Sequence, residues 1–109
     1  MIRLTADLWV AAYLARLRAD GIPAYVLAKG DSVAGAVVVK LATLDGRAVA
    51  RERVADLATG GRRWAVLVEG VEAEVDTVLT RARARDPDLW VIEVEDRRGR
   101  DLLDQPGLD

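Results

Sequence analysis

The stretch Ala34-Gly35-Ala36-Val37-Val38-Val39-Lys40-Leu41-Ala42-Thr43-Leu44-Asp45-Gly46-Arg47-Ala48-Val49-Ala50-Arg51-Glu52-Arg53-Val54-Ala55 decides the fold. Two strand-like runs flank Leu44-Asp45-Gly46-Arg47, and Asp-Gly is a preferred two-residue hairpin loop because both positions tolerate positive φ. Pairing outward from that turn places Thr43 opposite Ala48, Leu41 opposite Ala50, Val39 opposite Glu52 and Val37 opposite Val54 on one face. That face is nearly all apolar and reads as core. Lys40 with Arg51, and Val38 with Arg53, fall on the other face. A bulged turn would shift these pairs.

On the N-terminal side, Thr5 or Asp7 is placed to cap a helix that runs to about Ala19, where Asp20-Gly21-Ile22-Pro23 stops it. Its apolar positions Ala6, Val10, Tyr13, Leu14 and Leu17 recur at helical spacing, widened by Trp9 and Ala12. Ala24 to Lys29 then reads as a short strand, and Gly30-Asp31-Ser32 as a turn.

On the C-terminal side, Thr59-Gly60-Gly61 is a loop and Arg62 to Val68 a strand with Trp64, Val66 and Val68 on one side. Val71 to Arg85 follows as a helix with the stripe Val71, Val75, Val78, Leu79 and Ala82. Acidic residues early in it and Arg81, Arg83 and Arg85 late complement the helix dipole at both ends. Asp86-Pro87 ends it. Leu89 to Glu95 is a final strand, and Asp96-Arg97-Arg98-Gly99 turns the chain into a polar tail over residues 100–109 that carries Leu102, Leu103 and Leu108.

The expected fold is therefore α+β in the order α-β-β-β-β-α-β: a mainly antiparallel sheet of about five strands, with both helices on one face. The 109 residues fit a single domain, with no linker and no internal repeat. There is no His and no Cys, which removes the imidazole base, the thiol nucleophile, the ordinary zinc site and the disulfide framework. Sixteen Lys and Arg against 18 Asp and Glu give a net charge of -2, which argues against nucleic-acid binding driven by overall basicity. Arginine supplies almost all of the cations, but Ala, Val, Leu and Gly are inflated as well, so arginine abundance reflects compositional bias. The N-terminal residues show no leader pattern and no uncharged run reaches the length of a membrane span, so a cytoplasmic protein without membrane association is expected.

The run Asp86-Pro87-Asp88-Leu89-Trp90-Val91-Ile92-Glu93-Val94-Glu95-Asp96-Arg97, followed by Gly99-Arg100, resembles the short bacterial family known as domain of unknown function 1491. The resemblance extends to Trp9-Val10-Ala11-Ala12-Tyr13-Leu14 and to Gly35-Ala36-Val37 leading into Leu44-Asp45-Gly46. Arg51 to Gly61 departs from it, lacking a Tyr- and Pro-containing stretch. The resemblance implies a small single-domain protein with no assigned activity, so it brings no catalytic residues.

Several constellations invite a chemical reading. Gly30-Asp31-Ser32-Val33-Ala34-Gly35 has the glycine spacing of a phosphate loop, but Ala36-Val37 replaces its Lys-Ser/Thr pair and a strand, not a helix, follows. It reads as a turn. Ser32, the single serine, has no histidine to activate it. Asp86 and Asp88 flank a proline, and helix termination explains them better than metal ligation. Trp9, Trp64 and Trp90 suit base stacking, but in a chain without Phe they read as core, Trp9 being the most exposed of the three.

The charged strands carry the sharper alternatives. Glu93 and Glu95 share one face of the final strand about 7 Å apart, an acidic pair suited to a metal or to acid/base work. Lys40, Arg51 and Arg53 form a candidate anion-binding stripe on the hairpin. If the final strand lies beside the hairpin, the two glutamates neutralise the stripe as an ion-pair ladder; otherwise the stripe is a site for an anion or nucleic acid. The ladder is the favoured reading. No metal site and no cofactor are expected. The resulting expectation is a non-enzymatic protein-interaction or accessory module, acting as a homodimer or with an unidentified protein partner. Anion binding through the basic hairpin face is the alternative, and a carboxylate-dependent enzyme the last.

Overall fold

The computed structural model describes residues 4–107. Seven elements follow in the order α1 (Ala6–Ala19), β1 (Ala24–Ala28), β2 (Val37–Ala42), β3 (Arg47–Ala55), β4 (Arg62–Val71), α2 (Glu72–Arg85) and β5 (Trp90–Glu95). The α+β class, the two helices, the five strands and the α-β-β-β-β-α-β order are as the sequence patterns predict. The strands form one sheet in the order β1-β5-β2-β3-β4. Every neighbouring pair is antiparallel except β2 with β5, which run parallel, Lys40 lying beside Glu93. Parallel neighbours need a crossover, and α2 supplies it by carrying the chain from the β4 edge back to β5.

The two helices do not share a face, contrary to expectation. Trp9, Val10, Tyr13 and Leu17 of α1 pack with Val37, Val39, Leu41, Ile92 and Val94. Val75 and Leu79 of α2 pack with Val38, Ala48, Ala50 and Val91, which alternate along β2, β3 and β5 with residues of the α1 cluster, Val49 being its member from β3. Successive strand residues point to opposite faces, so the sheet is covered on both sides. All six residues of β2 are buried. The sequence carries this signal in the unbroken run Val37-Val38-Val39, because a strand buried on both faces reads as continuously apolar.

The hairpin register also differs by one residue. Val38 pairs with Glu52, Val39 with Arg51, Lys40 with Ala50, Leu41 with Val49 and Ala42 with Ala48. The Thr43 N–H donates to the Arg47 carbonyl at 3.3 Å, which leaves Leu44, Asp45 and Gly46 as a three-residue loop in which Leu44 (φ 63°) and Gly46 (φ 86°) are left-handed. Asp45 holds this turn by accepting from the Thr43 hydroxyl at 2.5 Å and the Arg47 N–H at 3.2 Å. The Gly46 carbonyl accepts the Glu72 N–H at the start of α2 at 2.9 Å. A one-residue slip exchanges faces along one strand, so Ala48 and Ala50 turn toward α2, while Val49 joins the α1 core.

The glycine-spaced connection between β1 and β2 is structural. Its Ser32 and Val33 carbonyls accept the Asp7 and Ala6 N–H groups at 2.9 and 3.0 Å, satisfying the start of α1. Thr5 is the N-cap but makes no side-chain capping bond, its hydroxyl donating to Asp7 instead. A Cβ at Gly30 would lie 2.1 Å from the Asp88 carbonyl oxygen, and one at Gly35 2.5 Å from the same atom. Both glycines are there for close backbone approach. The Trp90 indole donates to the Asp31 carbonyl at 2.7 Å across this contact. Trp9 is only 2% exposed, so Trp64, half-buried, is the more accessible of the two. In the tail, Leu102 and Leu103 are buried in the α1 core; Leu108 lies outside the described residues.

Candidate functional site

The three cations expected in one stripe are divided between the two faces of the sheet. Lys40 turns toward α2 with its partner Ala50, whereas Arg51 and Arg53 lie on the α1 side with Val39. Lys40 is 2% exposed. Its ammonium makes ion pairs with Glu72 at 2.7 Å, Asp76 at 2.6 Å and Glu93 at 2.7 Å. Burial alone pulls a lysine pKa down, but here the hydrogen bonds that the ammonium donates to Asp76, Glu72 and Glu93 outweigh it and hold its pKa well above the ordinary value. Three ion pairs make it a cationic strut between β2, β5 and α2.

The acidic pair is divided as well. Glu93 sits on Lys40, but Arg51 is met by Asp101 and not by a glutamate of β5, so the expected ladder of Glu93 and Glu95 along the whole basic stripe does not form. Glu95 lies one strand-repeat further on and accepts the Tyr25 hydroxyl, which raises the Tyr25 pKa above its ordinary value. The two carboxylates therefore serve different neighbours and do not converge on a common point.

The α1 side is different. Arg51, Arg53, Arg62, Arg63 and Arg100 line an open cleft of about 840 Å³ between the β3-β4 ribbon and the C-terminal segment, together with Trp64, Asp101, Leu102, Leu103 and Asp104. Five arginines and two aspartates border this hollow, in a chain that is negative overall. Arg51 is paired with Asp101. The Arg53 guanidinium lies over the rings of Trp9 and Trp64, 4.9 and 5.3 Å from their centroids, and the two rings themselves are 5.4 Å apart. Such stacking fixes a guanidinium in place while its charge persists. Arg100 donates to both oxygens of Asp96 at 2.9 and 3.1 Å, and this bond holds the Asp96 carboxyl below its ordinary pKa.

The local sequence explains the convergence. Val66 pairs with Arg51 and Val68 with Ala50, so Leu67 is an extra residue in β4. A bulge of this kind increases local twist, and it sits where Arg51 and Arg53 leave the core for the cleft. Leu102 and Leu103 anchor the segment that forms the other wall, and the Tyr13 hydroxyl donates to the Asp101 carbonyl at 2.7 Å. Burial, with the nearby Asp101 carboxylate, pushes the Tyr13 pKa well above its ordinary value. Sequence reasoning picked out Arg51 and Arg53 and missed Arg62, Arg63 and Arg100. The usable signal was the doublet Arg62-Arg63 between Gly60-Gly61 and Trp64, discounted along with arginine in general.

With that geometry in view, comparison with known proteins is informative about kinship. A family model described as protein of unknown function, DUF1491, matches residues 4–104. A crystal structure of a DUF1491 family protein from Caulobacter crescentus CB15 superposes with a TM-score of 0.83 at 38% identity, covering 96% of this chain and 97% of that one. An NMR structure of a DUF1491 family protein from the same organism gives 0.82 at 39% identity over 97% of each chain. A solution structure of a protein from A. tumefaciens gives 0.72 at 32% identity over 86% of each. No curated protein matches the chain.

Proposed function

Because the chain belongs to the DUF1491 family, whose function is unknown, kinship supplies no activity, and we propose from the site itself that this is a non-enzymatic recognition module that receives an anionic group in the arginine-lined cleft. One observation carries the reading: five arginines against two aspartates line one open hollow in a chain whose net charge is -2. A concave surface on which cations outnumber anions concentrates its field and its counter-ions, and guanidinium groups bind carboxylate and phosphate through paired hydrogen bonds. Reactive side chains contribute nothing to this picture. The buried Lys40 is saturated by carboxylates, and Ser32 sits in a turn whose carbonyl caps a helix.

Trp64 lines the cleft, so its fluorescence is a built-in reporter. Titration with pyrophosphate and with citrate at low salt should give a saturable change that weakens as salt is added. Arg63, exposed on the rim, is the residue to alter: Arg63→Gln should weaken binding about tenfold, the size expected for one charge-assisted hydrogen bond. Absence of a saturable response to either anion would end the proposal.

A second reading, contact between two copies of the chain, is favoured by β1. Among the described residues this edge strand pairs only with β5; it carries no charge from Ala24 to Ala28 and exposes Tyr25, Val26 and Leu27. An uncharged edge is a template for strand addition, and two such edges are self-complementary about a two-fold axis. Light scattering across a dilution series tests it, with Val26→Lys as the variant that should shift a dimer to monomer; a monomer at every concentration refutes it.

A further inference from the structure

Resting on the anion-binding reading, we infer that the occupant of the arginine-lined cleft is an extended, acidic segment of a partner protein. The chain's own C-terminal segment supplies the argument, because it already lies along this hollow as an irregular acidic peptide. The Asp101 carboxylate is met by Arg51, and Leu102 and Leu103 are buried beneath it. Side-chain donors satisfy its backbone: Tyr13 reaches the Asp101 carbonyl and Arg16 the Pro106 carbonyl, each at 2.7 Å. Guanidinium for carboxylate, apolar surface for leucine and donors for free carbonyls make up the chemistry by which this surface holds a peptide.

The facing wall repeats that combination. Arg53, Arg62 and Arg63 line the cleft with half-buried Trp64 near the start of β4, a strand whose only partner among the described residues is β3. Its outer edge offers main-chain groups to an extended chain, the mode of recognition in which backbone bonds give affinity and side chains give selectivity. A nucleic acid fits less well. Its charge continues past the limits of one cleft into the field of a protein that is negative overall. An acidic peptide confines its charge to the cleft and brings apolar side chains for Trp64.

The probe is a short fluorescent peptide in which Glu alternates with Ala, compared by anisotropy with its Gln-for-Glu counterpart and with a single-stranded oligodeoxynucleotide of equal length. The Glu peptide should bind saturably at low salt. Both the Gln peptide and the Arg63→Gln protein should bind about tenfold more weakly, the variant having an unchanged urea midpoint. Equal binding of the Glu and Gln peptides overturns the inference, as does tighter binding of the oligonucleotide. If pyrophosphate or citrate perturbs Trp64 while the Glu peptide does not bind, the peptide assignment fails and the anion site stands. If none of them binds, both fail.

Discussion

Replacing Lys40 with methionine tests how far the α2 face depends on one cation. The ammonium lies 2.6 to 2.7 Å from the carboxylates of Glu72, Asp76 and Glu93, whose side chains are 34%, 50% and 20% exposed. Methionine approximates the volume of the lysine stem but leaves three like charges around an apolar tip. Removing one partner of a buried ion pair costs about 3–5 kcal/mol. Because these carboxylates keep part of their water, the lower end applies, about 3 kcal/mol, equivalent to a fall in Tm of roughly 12 °C or more for a chain of this size. Urea unfolding followed by tryptophan emission and far-UV circular dichroism reads the loss at unchanged m-value. Glu93 is the most enclosed acid, so Lys40→Met with Glu93→Gln should recover about 1 kcal/mol by removing repulsion and an unpaired charge. A loss below about 1 kcal/mol, or a double variant no more stable than Lys40→Met alone, would show that the cluster is solvated decoration and refute the reasoning.

The pH dependence follows from the same group. The folded-state pKa of Lys40 is raised, so its contribution is complete below the unfolded value of about 10.4 and disappears as pH rises through the higher folded value. The stability gap between wild type and Lys40→Met should therefore narrow above about pH 10.4; a gap constant through strongly alkaline solution contradicts this. Gly30→Ala forces a Cβ to within 2.1 Å of the Asp88 carbonyl and should cost about 3 kcal/mol. Gly60→Ala meets open space at a φ of +76° and should cost about 1 kcal/mol; comparable urea midpoints for the two would discredit the close-approach argument. Leu103→Ala should lose about 2 kcal/mol and speed proteolytic trimming of the C-terminal segment, whereas unchanged trimming would mean that the leucines do not hold it.

What was legible in the sequence was local. The 3.6-residue spacing of Val10, Tyr13, Leu14 and Leu17 and the Gly21-Ile22-Pro23 stop place α1, and the charge gradient from Glu72 to Arg85 places α2. What was not legible depends on contacts between distant residues. The hairpin loop gains Leu44 as a third member in a structure where the Gly46 carbonyl receives the Glu72 N–H and Asp45 ties Thr43 to Arg47, and a two-residue turn rule cannot anticipate the first of these bonds. The mixed sheet arises because β5 enters between β1 and β2. Lys40 and Glu93 are 53 residues apart; their alternation patterns were readable separately, but only strand order makes them neighbours.

That single slip in register separates the buried lysine from the arginines of the proposed recognition cleft. With the two-residue turn, Lys40, Arg51 and Arg53 would share one surface, and any acid that neutralised one would screen the others. In the observed pairing, alternation sends Lys40 to the α2 face, where three carboxylates enclose it, and Arg51 and Arg53 to the cleft beside Trp64. Interior charge of the first kind is costly to disturb, whereas rim guanidinium groups such as Arg63 contribute little to folding and much to the field an incoming anion meets. The two sets of substitutions should therefore be orthogonal: Lys40→Met lowers the unfolding midpoint and leaves the peptide affinity of the folded fraction intact, and Arg63→Gln does the reverse. Coupling between them larger than about 0.5 kcal/mol, measured as a double-mutant cycle, would mean that the two faces communicate through β3 and that the division drawn from the register is wrong.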